Sequence, residues 1–422
     1  MMKSSIKAIA STLVLSATLA GCAATPGGLQ LGSKNDRFSA KSAGAPWAMM
    51  NFFALDNDLD NGTGLVSRLH SAATRAASVA VDSLYDGSKN NDSFYIYQSA
   101  PGQESKTVQK GEVDSGTAAA LGDFVSFAVQ NTPAQRRTLT MADHGGGIIR
   151  GICSDWTGPG GKKIIHLPEV AAVIEKNPVD FLIFDACFMQ MMEVAYEVRK
   201  GAKVLLAAQT TTRGDYPYET MVNTLNSNAA ADTKVIATKL LSVIADNARY
   251  ESAFGAVETS KTEEVAKRMN KLSTILIEKA KDKAMRKSLQ NALRNSMGYA
   301  NETEAGLLMY NNYRDMVDVM TNLAKISDPA IQEAARSVAE ATKASVLGES
   351  HRNGGFFGGT NLDKASGIAL YAQVDGPVEA KYLSRSWNKD TRWGDALAQI
   401  NTTGWAPAIQ ADKFPLSFPK RK

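Results

Sequence analysis

Between residues 47 and 208, short unbroken apolar runs alternate with segments whose apolar positions recur every three or four residues. An apolar run of four to eight residues suits a strand buried on both faces, and a 3.6-residue period marks a helix with one buried face. The pattern predicts strands at 47–55, 79–85, 93–97, 138–142, 179–185 and 202–208. Helices are expected at 65–77, 117–130, 168–176 and 188–200. Pro168 falls at the start of one of these, where its missing N–H is no loss. Such alternation predicts an α/β fold, a three-layer sandwich with a mainly parallel sheet and helices on both faces. From residue 232 helical periods dominate, at 232–247, 262–280, 283–297, 313–326, 329–344 and 392–400, with strands at 252–257 and 367–373. This C-terminal half is expected to pack around the sheet and to return one or two strands to it. No internal repeat is visible.

Two of the predicted strands end in reactive side chains. Asp143-His144-Gly145-Gly146-Gly147 follows one, and Asp185-Ala186-Cys187 follows Phe181-Leu182-Ile183-Phe184 in the other. In a parallel α/β sheet the carboxyl edge carries the chemistry, and a right-handed crossover between the two strands brings both ends to that edge. A thiol beside an imidazole makes a cysteine-nucleophile site. The glycines at 145 to 147 let backbone N–H groups approach a substrate. The expected helix at 188–200 would place Cys187 at a positive helix end that favours the thiolate. Asp185, two residues before Cys187, would face the same side if the extended geometry persists. Each residue alone has a plainer reading, a buried small hydrophobe for the cysteine and a satisfied polar group for the histidine. Their joint placement favours catalysis. His70, His166 and His351 are scattered, so no metal site of His and Cys ligands is expected.

Charge and the N-terminus then set the address. The chain has 422 residues, 44% apolar and 21% charged, with a formal charge of +4. Lys3 and Lys7 carry two of those charges within a basic start that precedes a short apolar stretch at 8–20. That stretch is too short to span a bilayer and reads as a signal peptide, 1–21, ending in Leu19-Ala20-Gly21-Cys22. The ending resembles a bacterial lipobox, with Cys22 becoming the lipidated N-terminus. Residues 22–45, rich in Gly, Ser, Ala and Lys, read as a flexible tether, leaving 46–422 as the folded domain. Ala23 after the cysteine resembles lipoproteins sorted to the outer membrane of a Gram-negative host. The mature chain is near neutral and shows no basic cluster interleaved with aromatics, so no nucleic-acid partner is expected. Cys153 and Cys187 remain, too few for a disulfide framework.

The two strand-end blocks resemble the signature blocks of the clostripain family of cysteine peptidases. Residues 47–59, ending Asp56-Asn57-Asp58-Leu59, resemble the family's first strand. Gly214-Asp215-Tyr216-Pro217-Tyr218 resembles its aromatic loop, and Ser366-Gly367-Ile368-Ala369-Leu370-Tyr371 a late core strand. The resemblance implies a caspase-like sandwich and a Cys–His dyad with no obligatory third member. Cys187 would attack the scissile carbonyl, His144 would serve as general acid and then base, and the N–H groups of Gly145 and Cys187 would form the oxyanion hole. Cleavage after Arg or Lys is implied too, which needs a carboxylate in the specificity pocket. Asp185 is the first candidate and Asp215 the second; a helix-capping role is the alternative for Asp185. Gln209-Thr210-Thr211-Thr212-Arg213 departs from the acidic stretch the family often has there.

Family members often mature by self-cleavage at basic residues. Lys162 and Lys163, in a Gly-rich stretch between the dyad members, are the candidate autocleavage sites, with a solvated basic turn as the alternative. Asp56-Asn57-Asp58-Leu59-Asp60-Asn61-Gly62 imitates the start of an EF-hand, but its glycine comes one place late and Ser67 stands where Glu is required. It is read as a helix-capping acidic loop; no cofactor is expected, and calcium has no clear site. The expected enzyme acts on proteins or peptides as a monomer, held to the membrane by its lipid. The alternatives are a non-catalytic surface-binding lipoprotein on a peptidase scaffold and another cysteine-dependent acyl hydrolase or transpeptidase.

Overall fold

All but one of the apolar runs become strands of one nine-stranded sheet. The computed structural model describes residues 44–158, 161–212, 214, 216–299, 312–354, 361–374, 376–401 and 405–406. The signal segment, Cys22, nearly all of the tether, and Asp215 lie outside the described residues. In chain order the strands are β1 (Ala45–Ala54), β2 (Val79–Asp86), β3 (Ser93–Tyr97), β4 (Lys106–Gly111), β5 (Ala134–Ala142), β6 (Ile152–Asp155), β7 (Lys163–Ile165), β8 (Val179–Asp185), β9 (Ala202–Ala208), β10 (Ser252–Glu258), β11 (Tyr313–Asp315), β12 (Val346–Arg352) and β13 (Ala369–Tyr371). The large sheet has the order β12-β10-β9-β8-β5-β1-β2-β3-β4. Its five central strands, β9 to β2, are parallel; the pairings outward from them are antiparallel.

Alternate residues of each central strand serve different cores. In β8, Leu182 and Phe184 face one cluster, Phe181 and Ile183 the other. All four are buried, which is why the strand reads as an unbroken apolar run rather than an alternating one. The first face is covered by helices Ala118–Asn131, Leu167–Lys176 and Met192–Val198, together with the C-terminal helices Thr262–Lys279, Lys283–Arg294, Met316–Leu323, Pro329–Ser345 and Trp393–Asn401. Helices Gly64–Ala73, Tyr218–Ser227 and Thr233–Asn247 cover the second. The result is the three-layer α/β sandwich expected, with a caspase-like arrangement. Asp232 caps Thr233–Asn247 by accepting from Val235 N at 2.8 Å, satisfying one of the orphan donors of its first turn.

Several expectations are corrected. The C-terminal half does return two strands to the sheet, but they are β10 and β12. The run at 367–373 instead forms β13, paired with β11 in a small separate sheet. The expected helix at 313–326 begins as that strand, because Asp315 caps the helix only from Met316. Strands β4 and β12 were missed since their residues are largely exposed and carry no apolar run. Among the described residues, no helix is long and apolar enough to cross a membrane.

The chain passes from β1 to β2 on one side and returns through β5, β8 and β9 on the other. The topological switch point therefore lies between β1 and β5, and crevices at carboxyl ends form there. Asp56 to Asp58, His144 and Cys187 all lie just past strand ends on this edge.

Candidate active site

The loops after β5 and β8 are built to touch. Ala142 pairs with Asp185 at the end of the ladder, and Asp143 N donates to Asp185 O at 3.3 Å. A Cβ on Gly145 would lie 2.6 Å from Cys187 O and 2.8 Å from Ala186 Cβ. Only glycine allows this approach. Beyond it, Gly146 N donates to Gly151 O and Cys153 N to His144 O, which ties the loop to β6 without using the Gly145 N–H. Tyr313 Oη donates to Gly146 O at 2.7 Å, anchoring the loop to the C-terminal half.

His144 is almost fully buried, with Nε2 2.8 Å from Asp58 Oδ1. Burial alone would favour the neutral ring. The Asp58 hydrogen bond and the charges of Asp143 and Asp58 outweigh it, so the imidazole is held above its ordinary value. Asp58 is held below the usual carboxylate range, chiefly by its bond to His144. Behind them, Asp143 is buried and pushed up to about 6 by that burial, opposed by the His144 charge and by donors from Ser154 and Asn57. Asn57 Nδ2 donates to Asp143 Oδ1 and to Ser154 O, both at 2.8 Å. The Trp156 ring stacks on the imidazole at 9° and 6.3 Å between centroids, and Lys162 Nζ lies 4.0 Å from the Trp156 ring centre.

Cys187 is a half-buried thiol that takes part in no disulfide. The expected helix at 188–200 is shorter: Phe188 adopts φ +60° and the helix starts only at Met192. Phe188 N and Gln190 N instead donate to Thr210 O, just beyond β9, and to Ala208 O at its end. This extended path occupies the donors a helix N-terminus would offer, so no helix end activates the thiol. Thr212 N–H donates to Sγ at 3.3 Å, with Thr212 Oγ1 at 3.8 Å.

Asp185 is half-buried at the same strand end. Its Oδ2 accepts from Tyr218 Oη at 2.8 Å and Tyr216 N at 3.2 Å. It does not cap the following helix, whose cap position is Met191. Lys162 and Lys163 are half-buried rather than a solvated turn: Lys162 covers Trp156, and Lys163 begins β7 and bonds Asp114. Nor does the Asp56–Gly62 loop cap the next helix, since Thr63 holds that position without a side-chain bond. Its carboxylates bond elsewhere, Asp56 to Thr157, Asp58 to His144 and Asp60 to Tyr85 and Ser88. Sequence reasoning missed Asp58, Asn57, Trp156 and Thr212 as partners of the site. Asp58 sat within a quoted motif, but its partner is 86 residues away.

An imidazole and a half-buried thiol at neighbouring strand ends of a parallel sheet, joined through glycine-permitted backbone contact, have the arrangement of a cysteine hydrolase. A sequence model of the clostripain family matches residues 67–400, and the chain belongs to this family of cysteine peptidases. Clostripain of Hathewaya histolytica is 34% identical over 110 residues, 23% of this chain and 21% of that protein. The chain thus matches about a fifth of the length of that relative. A secreted C11 cysteine protease from Bacteroides thetaiotaomicron, solved with an irreversible peptide inhibitor, has a TM-score of 0.64 at 18% identity, covering 83% of this chain and 99% of that one. An inactive zymogen C11 protease from Parabacteroides distasonis has a TM-score of 0.61 at 17% identity, again covering 83% and 99%. These two likenesses establish the shared fold.

Proposed function

We propose that the protein is a cysteine endopeptidase cleaving after Arg or Lys, with Cys187 as nucleophile and His144 as general acid and base. The observation that carries this reading is the contact between the loops after β5 and β8, with Asp58 holding the imidazole toward its protonated form. Cys187 thiolate adds to the scissile carbonyl carbon, and the oxyanion meets the N–H groups of Gly145 and Cys187. One such donor is worth about 3 kcal/mol in the transition state. With Nε2 committed to Asp58, Nδ1 of His144 passes a proton to the leaving amine. The resulting thioester is attacked by water, which loses its proton to His144, and the carboxylate product leaves as the thiolate re-forms.

Asp185 is the proposed selector for a basic side chain, and its two donors favour the charged carboxylate such a partner needs. Asp215 remains the second candidate. Self-processing after Lys162 or Lys163 is part of the proposal, supported by the position of Lys162 over the tryptophan that covers His144. Lipidation at Cys22 would place the enzyme in the cell envelope, on the outer membrane of a Gram-negative host.

The test compares wild type with Cys187→Ala and His144→Ala on peptidyl-Arg, peptidyl-Lys and neutral reporters, with intact masses recorded alongside. Turnover of the basic reporters and processed masses are both expected in wild type only. Hydrolysis that survives Cys187→Ala would refute the site; equal rates on the neutral reporter would refute the specificity.

A further inference from the structure

Outside the two dyad loops, a buried residue is held in a conformation that an L side chain disfavours. Cys153, in β6, has φ +60°, in the left-handed region that suits glycine. It is fully buried, and burial pushes its thiol well up, so it is no second nucleophile. It is also the extra residue of a β-bulge. Ile152 pairs with Ile165 and Ser154 with Ile164, so two steps along β6 match one along β7, and Cys153 stands opposite no residue of that strand. Along a regular strand, successive peptide N–H groups point in opposite directions. Here the N–H groups of Cys153 and Ser154 both turn to the glycine loop, the first donating to His144 O at 3.2 Å and the second to Asp143 Oδ2. The left-handed residue between them produces this convergence, as it does where short backbone stretches make concave sites for anionic oxygens.

A trans peptide unit holds its C=O and N–H antiparallel. Fixing His144 O on β6 therefore turns the Gly145 N–H away from β6 without any bond to that N–H. We propose that Cys153 is a positioning residue for the oxyanion hole: its left-handed bulge aims one N–H at His144 O and so orients the His144–Gly145 peptide unit toward the substrate oxygen. The inference rests on the peptidase reading above. It assigns the role to the backbone at Cys153, and the side chain need only be small enough for a buried place. The next N–H holds the Asp143 carboxylate, so a single bulge fixes both residues that precede Gly145. Bulges beside active sites re-aim groups in this way, and the conformational cost at Cys153 is borne by the packing around it.

The test compares Cys153→Gly, Cys153→Ala and Cys153→Val with wild type in the full chain. For each, kcat and KM are measured on a peptidyl-Lys reporter, and a melting curve is recorded. Alkylation of Cys187 by iodoacetamide is followed from the mass of its tryptic peptide. Glycine enters the left-handed region freely and a β-branched residue resists it. Cys153→Gly and Cys153→Ala should keep kcat within about threefold of wild type, since neither blocks the bulge. Cys153→Val should lower kcat by about 10- to 100-fold at nearly unchanged KM, the effect of a misaimed oxyanion donor. Its Cys187 should be alkylated at the wild-type rate, because that displacement develops no oxyanion. Should Cys153→Val lose its cooperative melting, Cys153→Thr carries the same branching and is read in its place. Wild-type kcat in the β-branched variant, with turnover still dependent on Cys187, overturns this proposal and leaves the peptidase reading standing. An equal loss in Cys153→Gly would assign the effect to the side chain, and alkylation slowed in step with kcat would mean that the whole site has moved; either overturns it. Turnover that survives Cys187→Ala overturns both.

Discussion

At the scale of single residues, the least expected feature is the carboxylate behind the histidine. The resemblance implied a dyad with no obligatory third member, yet the solvent-exposed Asp58 accepts a hydrogen bond from the buried His144. Its effect is electrostatic, because burial would otherwise favour the neutral ring. Asp58→Asn removes the charge but keeps a hydrogen-bonding side chain, so the imidazole should titrate at lower pH. In a mechanism that needs protonated His144 for the leaving amine, the alkaline limb of the kcat/KM profile should then move toward neutral pH. A pH–rate series on a peptidyl-Lys reporter checks this, and an unmoved alkaline limb would exclude Asp58 as a positioning residue. The cysteine shows the reverse relation between sequence and structure. Its position at a strand end was legible from the apolar run before it, but its electrostatic partner was not. In place of the expected helix end, the peptide N–H of Thr212, brought by the loop after β9, donates to the thiol.

Among the elements, β5 and β8 decide the site. Both were visible in the sequence because a strand buried on two faces must be apolar throughout. Their adjacency was argued from crossover topology, and the register makes it concrete, Ala142 against Asp185. The contact just beyond the register is the sensitive point. A methyl group at position 145 would meet the carbonyl oxygen of Cys187 at 2.6 Å, a backbone atom that has no rotamer to yield with. Gly145→Ala should therefore displace one catalytic loop from the other. The expected result is a fall in kcat of at least about a hundredfold, the cost of misplacing reacting groups by about 1 Å, with cooperative thermal unfolding retained. Steady-state kinetics and a melting curve on the same preparation separate this from simple unfolding. The edge strands β4 and β12 show where the reading by pattern fails. Their residues are exposed or half-buried and form no unbroken apolar run, so backbone pairing rather than apolar content makes them strands.

For the whole molecule, the helical C-terminal half does more than cover one face of the sheet. Tyr313 reaches the glycine loop, and Glu193, in the helix after the cysteine loop, binds Tyr371 N at 2.8 Å and Tyr382 Oη at 2.9 Å. Burial pushes this carboxyl up to about 7, while its other oxygen has no partner. A group raised in the folded state contributes stability below its unfolded value, ordinarily 4.5, and loses it as pH climbs to about 7. Ionising it in place costs up to about 3 kcal/mol. Denaturant unfolding of wild type should thus weaken between pH 5 and 8. Glu193→Gln, which preserves the acceptor and cannot ionise, should flatten that dependence and exceed wild type at pH 8. The sequence by itself determined the layered α/β class, the central strands and the two reactive strand ends, because each follows from local periodicity and from which residues must be buried. Tertiary structure alone decided the rest: Asp58 behind His144, Thr212 at the thiol, and three buried carboxylates gathered from the loop after β1 and the ends of β2 and β6. Those groups are far apart in the chain, and only the parallel sheet, with its strand ends on one edge and the β6–β7 hairpin set against it, brings them within reach of one another.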